Sequence, residues 1–550
     1  MTTIERTNLP APGAARSRPH FVAEMTAHGL LAFVRRPMSG FFTLVFPLTF
    51  LVIVSAIVGN ETTAAGVPVA QFLVAPFAVF GAAQASFVVL AIDTALLRES
   101  GVLLRLRGTP VPAWTVLAGR IGAAVVVSGT SVLLLIGVGV GAYGVDIVWR
   151  KAPALLVTLI LGIGCFAALG LAVVALTRTT LAVQTLTQGI LIPLAFISDV
   201  FIVGADLPAG LDWAGSILPL KHFARAVSQT FDPYGGYGFS PGHLGVLAAW
   251  AVAGAAVSRW RFGWAPRGAG SRPADGSPTV PDRTRPAGQT LSTPGSGRRP
   301  AGAALVGQIR YALTAQGRDP LALFFAVVFP VLLLTLFPIV FGDARIQGLT
   351  LAQYLLPGLA AYSIAICGYV NMPEDVVQAR GKGVLKRLAG TPLTWRTYVA
   401  GRVSSVLVVS ALSTTLLAVV ATAFLGVRLD PVRLPALVVG VLAGVLCFSA
   451  LGLAVVALLR SATSLVAITL GTLLPLSFVS DVFVVGDQPM PGWLAAIGDA
   501  FPLKHLAGAL LAATTHENAA AGFAWGHLGV VAVWTAAALL VVSLVPLNRA

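Results

Sequence analysis

Apolar runs long enough to cross a lipid bilayer follow one another along most of the chain. A transmembrane helix needs about 20 predominantly apolar residues, and six such runs occur in each half of the sequence. They lie near residues 41–58, 69–91, 121–145, 152–176, 181–203 and 243–260, and again near 321–341, 354–372, 403–425, 434–459, 465–485 and 528–547. The pattern predicts an all-α, polytopic membrane protein with twelve transmembrane helices.

The two halves carry the same sequence blocks in the same order, at a shift of 282 residues that rises to 284 near the end. The blocks are VLLRLRGTP at 102–110 and VLKRLAGTP at 384–392, LGLAVVAL at 169–176 and 451–458, SDVF at 198–201 and 480–483, PLKH at 219–222 and 502–505, and GHLGV at 242–246 and 526–530. Recurrence with one order and spacing indicates duplicated structural units. We therefore predict two parallel six-helix repeats.

Composition between and before the runs sets the predicted boundaries. We expect a disordered cytoplasmic tail at 1–20, a first six-helix unit at 21–262, a flexible cytoplasmic linker at 263–304 and a second unit at 305–550. The linker is rich in Gly, Pro, Ser and Arg and has few large apolar residues, so it cannot bury enough surface to offset its ordering entropy.

A mildly amphipathic stretch precedes the first run of each unit, from Phe21 to Arg36 and from Leu305 to Arg318. A proline follows each stretch directly or after one residue. Each predicts either a separate helix along the membrane interface or the frayed start of the first span.

The charged residues do not change the predicted fold, but they predict how the chain is oriented in the membrane. Only 10% of the residues are charged, against roughly a quarter in soluble domains, which leaves no room for a soluble enzyme domain. The net charge of +15 comes from Lys and Arg in short loops between apolar runs, so it indicates membrane orientation and not a nucleic-acid partner. The basic loops after the second spans predict that both termini lie in the cytoplasm, with the loop at Arg150 and Lys151 as the exception.

The loop after the second run is the strongest functional candidate. Residues 98–110 mix basic and apolar side chains and stop at Gly-Thr-Pro, where proline prevents the helix from continuing. A short amphipathic helix here could receive a soluble partner, with Val102, Leu103 and Leu106 docking and the charged residues pairing. A basic membrane anchor without a partner is the alternative.

These loops, the six runs per repeat and the later segment 218–222, LPLKH, resemble the type-two ABC export permeases over nearly the whole chain. In that family an acidic residue, Gly, an apolar and a basic residue, Leu and Thr-Pro mark the coupling helix, which seats in the ATPase subunit. The resemblance implies two sets of coupling residues: Arg98, Glu99, Gly101, Arg105, Arg107, Thr109 and Pro110, and Arg380, Lys382, Lys386, Arg387, Thr391 and Pro392. Gly381 stands where Glu99 stands, so the second repeat lacks the acidic contact.

The resemblance also implies what the chain does and what it needs. The sequence has no G-x-x-x-x-G-K-[ST] phosphate loop, so two copies of a separate ABC ATPase subunit would bind ATP and Mg, and this chain would hold no cofactor and catalyse no reaction. It would be a multi-pass protein of the plasma membrane. ATP binding would push residues 94–107 and 376–389, and the halves would rock to export a hydrophobic or amphipathic drug, antibiotic or lipid.

Ionisable residues near the far end of the fifth runs are the second candidate site. Asp199 and Asp481 follow Pro193 and Pro475 at matching positions. One interpretation is an outer gate or exit path, and the other is a helix cap at headgroup depth. The gate would consist of Asp199, Lys221, His222, Asp481, Lys504 and His505. No metal site is expected, because the histidines lack further ligands.

Two other functions remain open on the sequence. A proton-coupled secondary drug transporter also has twelve helices in two parallel halves, but the loop after the second run lacks the Asp-Arg-x-Gly-Arg pattern and no carboxylate lies in the middle of a run. The third possibility is a membrane scaffold or an ATP-independent lipid scramblase.

Overall fold

The computed structural model describes residues 18–58, 67–109, 113–202, 207–265, 301–342, 344–459, 462–483, 490–515 and 521–545. Internal contacts group the chain into two units, Met1–Pro266 and Arg267–Ala550. The predicted tail and linker lie mostly outside the described residues. Where they are described, a helix already begins at Arg18, and another covers residues 301–304.

The first unit contains an N-terminal helix, six membrane-length helices called spans 1–6, and three shorter helices. The N-terminal helix is Arg18–Val34, span 1 runs through Pro37–Gly40, Phe41–Val45 and Phe46–Val58, span 2 is Ala70–Glu99, span 3 is Ala113–Tyr143, span 4 is Ala152–Leu176 after a 3-10 turn at Trp149–Lys151, span 5 is Thr180–Ile197 and span 6 is Pro241–Arg261. A loop helix, Val102–Arg107, joins spans 2 and 3, and two hairpin helices, Ala209–Ile217 and Pro219–Phe231, join spans 5 and 6.

The second unit repeats this order. Its N-terminal helix is Ala301–Gly317, its spans are Pro320–Phe341, Leu351–Gly381, Trp395–Phe424, Leu434–Leu458 after a 3-10 turn at Pro431–Arg433, Ala462–Val479 and Trp525–Leu544, its loop helix is Val384–Ala389 and its hairpin helices are Gly492–Ala500 and Pro502–Thr514. A short antiparallel pair of strands, Arg345–Ile346 and Leu349–Thr350, precedes span 2.

The helices confirm the predicted fold class. Within the described residues, eleven helices are long and apolar enough to cross a membrane. Span 5 of the second repeat is not among them, because its apolar part, Leu465–Val479, is shorter, and the second pair of hairpin helices, bent by 82°, makes a twelfth only if the pair counts as one span. Spans 2 and 3 extend beyond the predicted apolar runs, because helix continues into the polar residues beside the loop helix. Span 5 stops earlier than predicted, at Ile197.

The N-terminal helix is a separate element and not the frayed start of span 1. It ends before Arg36, whose backbone is extended (φ −116°, ψ 93°) ahead of Pro37. It packs closely against span 3, where a Cβ added to Gly119 would lie 2.3 Å from the Cβ of Met25. The second repeat has the same approach, since a Cβ on Gly401 would lie 2.5 Å from the Cβ of Gln308. Residues larger than glycine would separate these helices.

Span 2 is the most enclosed span of each repeat. Its most apolar window is 94% buried in the first repeat and 89% in the second. Both copies contain a π-helical segment, Gln84–Val89 and Ile366–Asn371, a feature often found at functional positions in helices. Span 2 leads directly into the loop helix, so a displacement of the loop helix acts on the centre of the repeat.

Loop helix and hairpin lie at opposite ends of each bundle. At the hairpin end, Gln71 at the start of span 2 donates to the backbone carbonyls of Asp146 (2.9 Å) and Phe231 (2.8 Å). The turn between spans 4 and 5 lies at the other end, where residues beside the loop helix contact it.

A buried cation at the start of span 4 accounts for one of the two charges, Arg150 and Lys151, that form the exception in the sequence. Lys151 is 2% exposed, and its Nζ donates to the backbone carbonyls of Gln229 (3.0 Å), Asp232 (2.7 Å) and Tyr234 (3.0 Å). Arg433, 282 residues later, donates to the carbonyls of Ala512 (3.1 Å) and Thr515. These carbonyls end the second hairpin helix, whose partial negative charge a cation stabilises. Lys151 is therefore an internal helix cap and not a loop charge.

Candidate functional site

The two loop helices have the same backbone construction. Gly101 (φ 72°) and Gly383 (φ 67°) adopt the left-handed conformation that ends span 2 and starts the loop helix. Glycine allows this conformation without a Cβ clash. The first turn then closes through Arg105 N donating to the Gly101 carbonyl at 3.1 Å, and Arg387 N to the Gly383 carbonyl at 3.2 Å.

Each loop helix presents exposed basic residues. These are Arg105 and Arg107 in the first repeat and Lys386 and Arg387 in the second. The guanidinium of Arg105 donates to the Ser100 carbonyl (3.3 Å), and that of Arg387 to the Lys382 carbonyl (3.4 Å). The helix ends where the hydroxyls of Thr109 and Thr391 donate to carbonyls one turn back, at 2.6 and 2.7 Å. Pro392 follows as an exposed residue, and Pro110 lies outside the described residues.

The apolar residues of the first loop helix divide between the two sides. The amphipathic pattern predicts that Leu103 docks on a partner, and this is wrong, because Leu103 is only 1% exposed within its own repeat. Leu104 is instead 48% exposed. The surface available to a soluble partner therefore combines Leu104 with Arg105 and Arg107.

Arg98 lies apart from the other predicted coupling residues. It is fully buried, and its guanidinium donates to the backbone carbonyl of Val174 near the end of span 4. A cation is stabilised there by the carbonyl end of the helix. Its counterpart Arg380 is half-buried. Arg98 therefore ties span 2 to span 4 and does not belong to the exposed basic face.

Glu99 is exposed but already engaged within its own repeat. Its two carboxylate oxygens accept hydrogen bonds from the backbone N–H and the hydroxyl of Thr180, each at 2.8 Å. Thr180 is the first residue of span 5. Contact between Glu99 and an ATPase remains a prediction. In the structure, the Glu99 carboxylate is bound to Thr180.

A charge cluster near the end of span 2 joins spans 2 and 3 in each repeat, and in the first repeat it also includes Arg36, which precedes span 1. Asp93 on span 2 pairs with Arg36, and its other oxygen lies 3.6 Å from Arg120 Nη1 on span 3. In the second repeat Arg402 Nη1 lies 2.7 Å from Asp375 Oδ2. Position at the end of the second run predicts a solvated helix end that pairs with a nearby Arg. The pairing is confirmed, but Asp93 is only 6% exposed and therefore not solvated. The recurrence of Asp93 and Arg120 as Asp375 and Arg402 at the repeat spacing was the signal for this cluster.

At the hairpin end, Asp199 and Asp481 share an unusual backbone and differ in partners. Both adopt positive φ, 57° and 58°, which is uncommon for a residue with a Cβ but tolerated by Asp. Asp199 accepts from Arg225 Nε at 2.8 Å, not from Lys221. Asp481 lies 3.9 Å from Lys504 Nζ, so the second repeat does bring together the predicted pair.

The lysines complete these clusters with acids that the sequence did not single out. Lys221 is 1% exposed and forms an ion pair with Asp212. Lys504 Nζ lies 2.8 Å from Asp499 Oδ1. The hydrogen bond and charge of Lys221 hold the pKa of Asp212 below its usual range. Burial raises the pKa of Asp481, against the opposing charge of Lys504.

Each predicted histidine pairs with a second histidine on span 6. His222 Nδ1 lies 2.8 Å from His243 Nδ1, and His505 Nδ1 lies 2.9 Å from His527 Nδ1. The Nε2 of His222 faces the Ser216 carbonyl at 2.7 Å, an acceptor to which only a protonated nitrogen can donate. The recurring GHLGV block held the signal for the second histidine. Among the described residues, no three His, Cys, Asp or Glu side chains are grouped as metal ligands.

This arrangement defines a class: a polytopic membrane protein made of two fused six-span repeats, each with a loop helix at one end and a helical hairpin at the other. Residues 59–259 match the family model described as ABC-2 family transporter protein, and residues 309–514 match ABC-2 type transporter. The daunorubicin resistance ABC transporter permease protein DrrB1 of Streptomyces coeruleorubidus is 30% identical over 252 residues, which cover 42% of this chain and 82% of that relative. The chain belongs to the ABC-2 transporter permease family, in which two membrane domains are fused in tandem here. Membership implies a membrane context and an ATPase partner.

Proposed function

We propose that this chain forms the whole membrane pathway of an ATP-driven exporter and works with two copies of a separate ABC ATPase subunit. The observation that carries the proposal is the exposed basic face of the loop helix in both repeats, at Arg105, Arg107, Lys386 and Arg387. One ATPase subunit would seat under each loop helix. The ATPase subunits, and not this chain, would bind ATP and Mg.

The proposed cargo is a hydrophobic or amphipathic small molecule, either a drug or antibiotic or a lipid. Uniformly apolar spans favour a cargo that enters from the cytoplasm or the inner leaflet. The relative's name, which refers to daunorubicin resistance, supports a drug-like molecule. The chain would lie in the plasma membrane with both termini in the cytoplasm, as the basic loop helices favour.

Movement in this proposal starts at the loop helices. Closure of the ATPase subunits on ATP would displace residues 94–107 and 376–389. Because span 2 is the most enclosed span, its displacement shifts the helices around it. The clusters of Asp199, Lys221, His222, Asp481, Lys504 and His505 at the hairpin end would then form the outer gate.

The test is co-purification of the chain with the ATPase encoded beside it, followed by vesicle transport. Arg105→Ala with Arg107→Ala should lower the amount of bound ATPase several-fold, and Lys386→Ala with Arg387→Ala should do the same. All four changes together should abolish ATP-driven transport. Arg259→Ala, which removes an exposed basic residue at the end of span 6, is the matched control and should leave binding unchanged. If no ATPase binds and transport follows a proton gradient, the secondary-transporter alternative replaces this proposal.

A further inference from the structure

Two neighbouring residues at the end of span 2 hold the turn between spans 4 and 5 in the first repeat. Arg98 donates to the Val174 carbonyl on one side of this turn. Glu99 accepts from the Thr180 N–H and hydroxyl on the other side, both at 2.8 Å. The first N–H groups of a helix have no intrahelical acceptor and carry partial positive charge. A carboxylate that accepts two hydrogen bonds there makes a directed, charge-assisted contact.

Glu99 is closely connected to the loop helix. It is the last residue of span 2, and Val102 begins the loop helix after Ser100 and the left-handed Gly101. The Arg105 guanidinium reaches back to the Ser100 carbonyl at 3.3 Å, which closes this short connection. A displacement of the loop helix therefore reaches Glu99 within one turn and Thr180 through two hydrogen bonds.

The second repeat lacks the carboxylate and the hydroxyl of this contact. Gly381 replaces Glu99 and Ala462 replaces Thr180. Span 5 again starts at this position, and Val183 and Leu465, at matching positions one turn later, are both fully buried. The neighbouring arginines also differ, since Arg98 is fully buried and Arg380 is half-buried.

Span 5 connects this link to the opposite end of the repeat. It begins at Thr180, ends at Ile197, and leads within two residues to Asp199, whose φ of 57° fixes the turn toward the hairpin helices. We propose that Glu99 is a positioning residue that passes loop-helix movement to span 5 through Thr180, so that the first repeat drives the hairpin end more strongly than the second. This inference rests on the proposed function.

The decisive measurement is cargo transported per ATP hydrolysed, in vesicles that contain the chain and its ATPase, with ATPase binding measured separately. Glu99→Gln should lower that ratio several-fold without loss of binding. Thr180→Ala should lower it less, because its N–H remains, and Thr180→Ser should stay near wild type. Combining Glu99→Gln with Thr180→Ala should lower the ratio no more than Glu99→Gln alone, because the two changes disrupt the same contact.

The second repeat allows a gain-of-function experiment, in which the contact is introduced and not removed. A Cβ at Gly381 would meet nothing within 4 Å, so a side chain can start from this position without a clash at its Cβ. Gly381→Glu with Ala462→Thr should restore part of the ratio lost in the Glu99→Gln, Thr180→Ala double variant.

Other outcomes would overturn the inference. If Glu99→Gln releases the ATPase while Thr180→Ala has no effect, Glu99 contacts the ATPase directly. The same conclusion follows if the two changes add. If wild-type chain binds no ATPase, the proposed function itself has failed, and the link is then overturned as a coupling device.

Discussion

The two repeats share unusual backbone positions but not the charges around them. Gly101 and Gly383, and likewise Asp199 and Asp481, adopt positive φ at matching positions. Around Asp199 the cation is Arg225, whereas Gly508 occupies the matching position and Lys504 serves two carboxylates. Duplication has therefore kept the turns that set the path of the chain and changed the side chains that connect its helices. The repeats can consequently serve as internal controls for one another.

The largest expected difference lies in the charge cluster near the end of span 2. Asp93→Asn should destabilise the protein by roughly 3 kcal/mol, because Arg36 and Arg120, both only partly exposed, lose their carboxylate. Asp375→Asn should cost less, since Arg402 keeps its positions 5.4 Å from the Tyr398 ring centre and 5.6 Å from that of Tyr311. Thermal unfolding in detergent micelles measures both.

A control separates charge from shape in this cluster. Replacing Asp93 and Arg120 together by Leu and Met should recover much of the loss from Asp93→Asn, because fewer uncompensated charges remain buried. Equal destabilisation by Asp93→Asn and Asp375→Asn would show that the tyrosines of the second repeat do not compensate.

The next largest effect concerns the buried cation that caps the second hairpin helix in both repeats. Lys151→Met and Arg433→Met keep an extended side chain but remove the cation that caps the second hairpin helix. Each should cost about 1–3 kcal/mol, because several buried carbonyls lose a charged donor. Hydrogen exchange should accelerate in residues 219–231 for the first variant and in 502–514 for the second.

Arg150→Met is the matched control for this cap. Arg150 is exposed and donates to the Pro233 carbonyl at 2.7 Å, so its loss should leave exchange in 219–231 nearly unchanged. Faster exchange throughout the repeat, and not in the hairpin alone, would mean that Lys151 holds the whole bundle.

The sequence could predict the repeats and spans because hydrophobic periodicity and self-similarity are local properties of the chain. It could not predict which side chains meet. The Glu99 contact joins residues 81 positions apart, and nothing in the spacing distinguishes Arg225 from Lys221 as the partner of Asp199. Hydropathy predicts spans 2 and 3 too short, because it records where a helix leaves the bilayer and not where the helix ends. The early end of span 5 depends on the positive φ at Asp199, and the presence of an Asp in the sequence does not predict that backbone angle.

The smallest expected effect concerns pH at the two hairpins, where the repeats should respond in opposite directions. An unfolded Asp has a pKa of about 3.9. Because Lys221 lowers the pKa of Asp212, the ionised Asp212 stabilises the folded protein above pH 4. This stabilisation is lost as pH falls through the lowered pKa. Because burial raises the pKa of Asp481, its stabilisation is present below pH 4 and is lost as pH rises through the raised value.

Single neutralising changes turn this contrast into a measurement. At pH 7, Asp481→Asn should raise the apparent melting temperature by roughly 1–2 °C, since it mimics the protonated acid and Asn tolerates positive φ. Asp212→Asn should lower the melting temperature at pH 7, because Lys221 stays buried without its carboxylate. The difference caused by Asp481→Asn should shrink as pH falls toward 4, whereas the difference caused by Asp212→Asn should persist to pH 4 and shrink only below it. If the two variants shift the melting temperature in the same direction at pH 7, burial does not dominate at Asp481, and Lys504 must then balance that carboxylate as Lys221 balances Asp212.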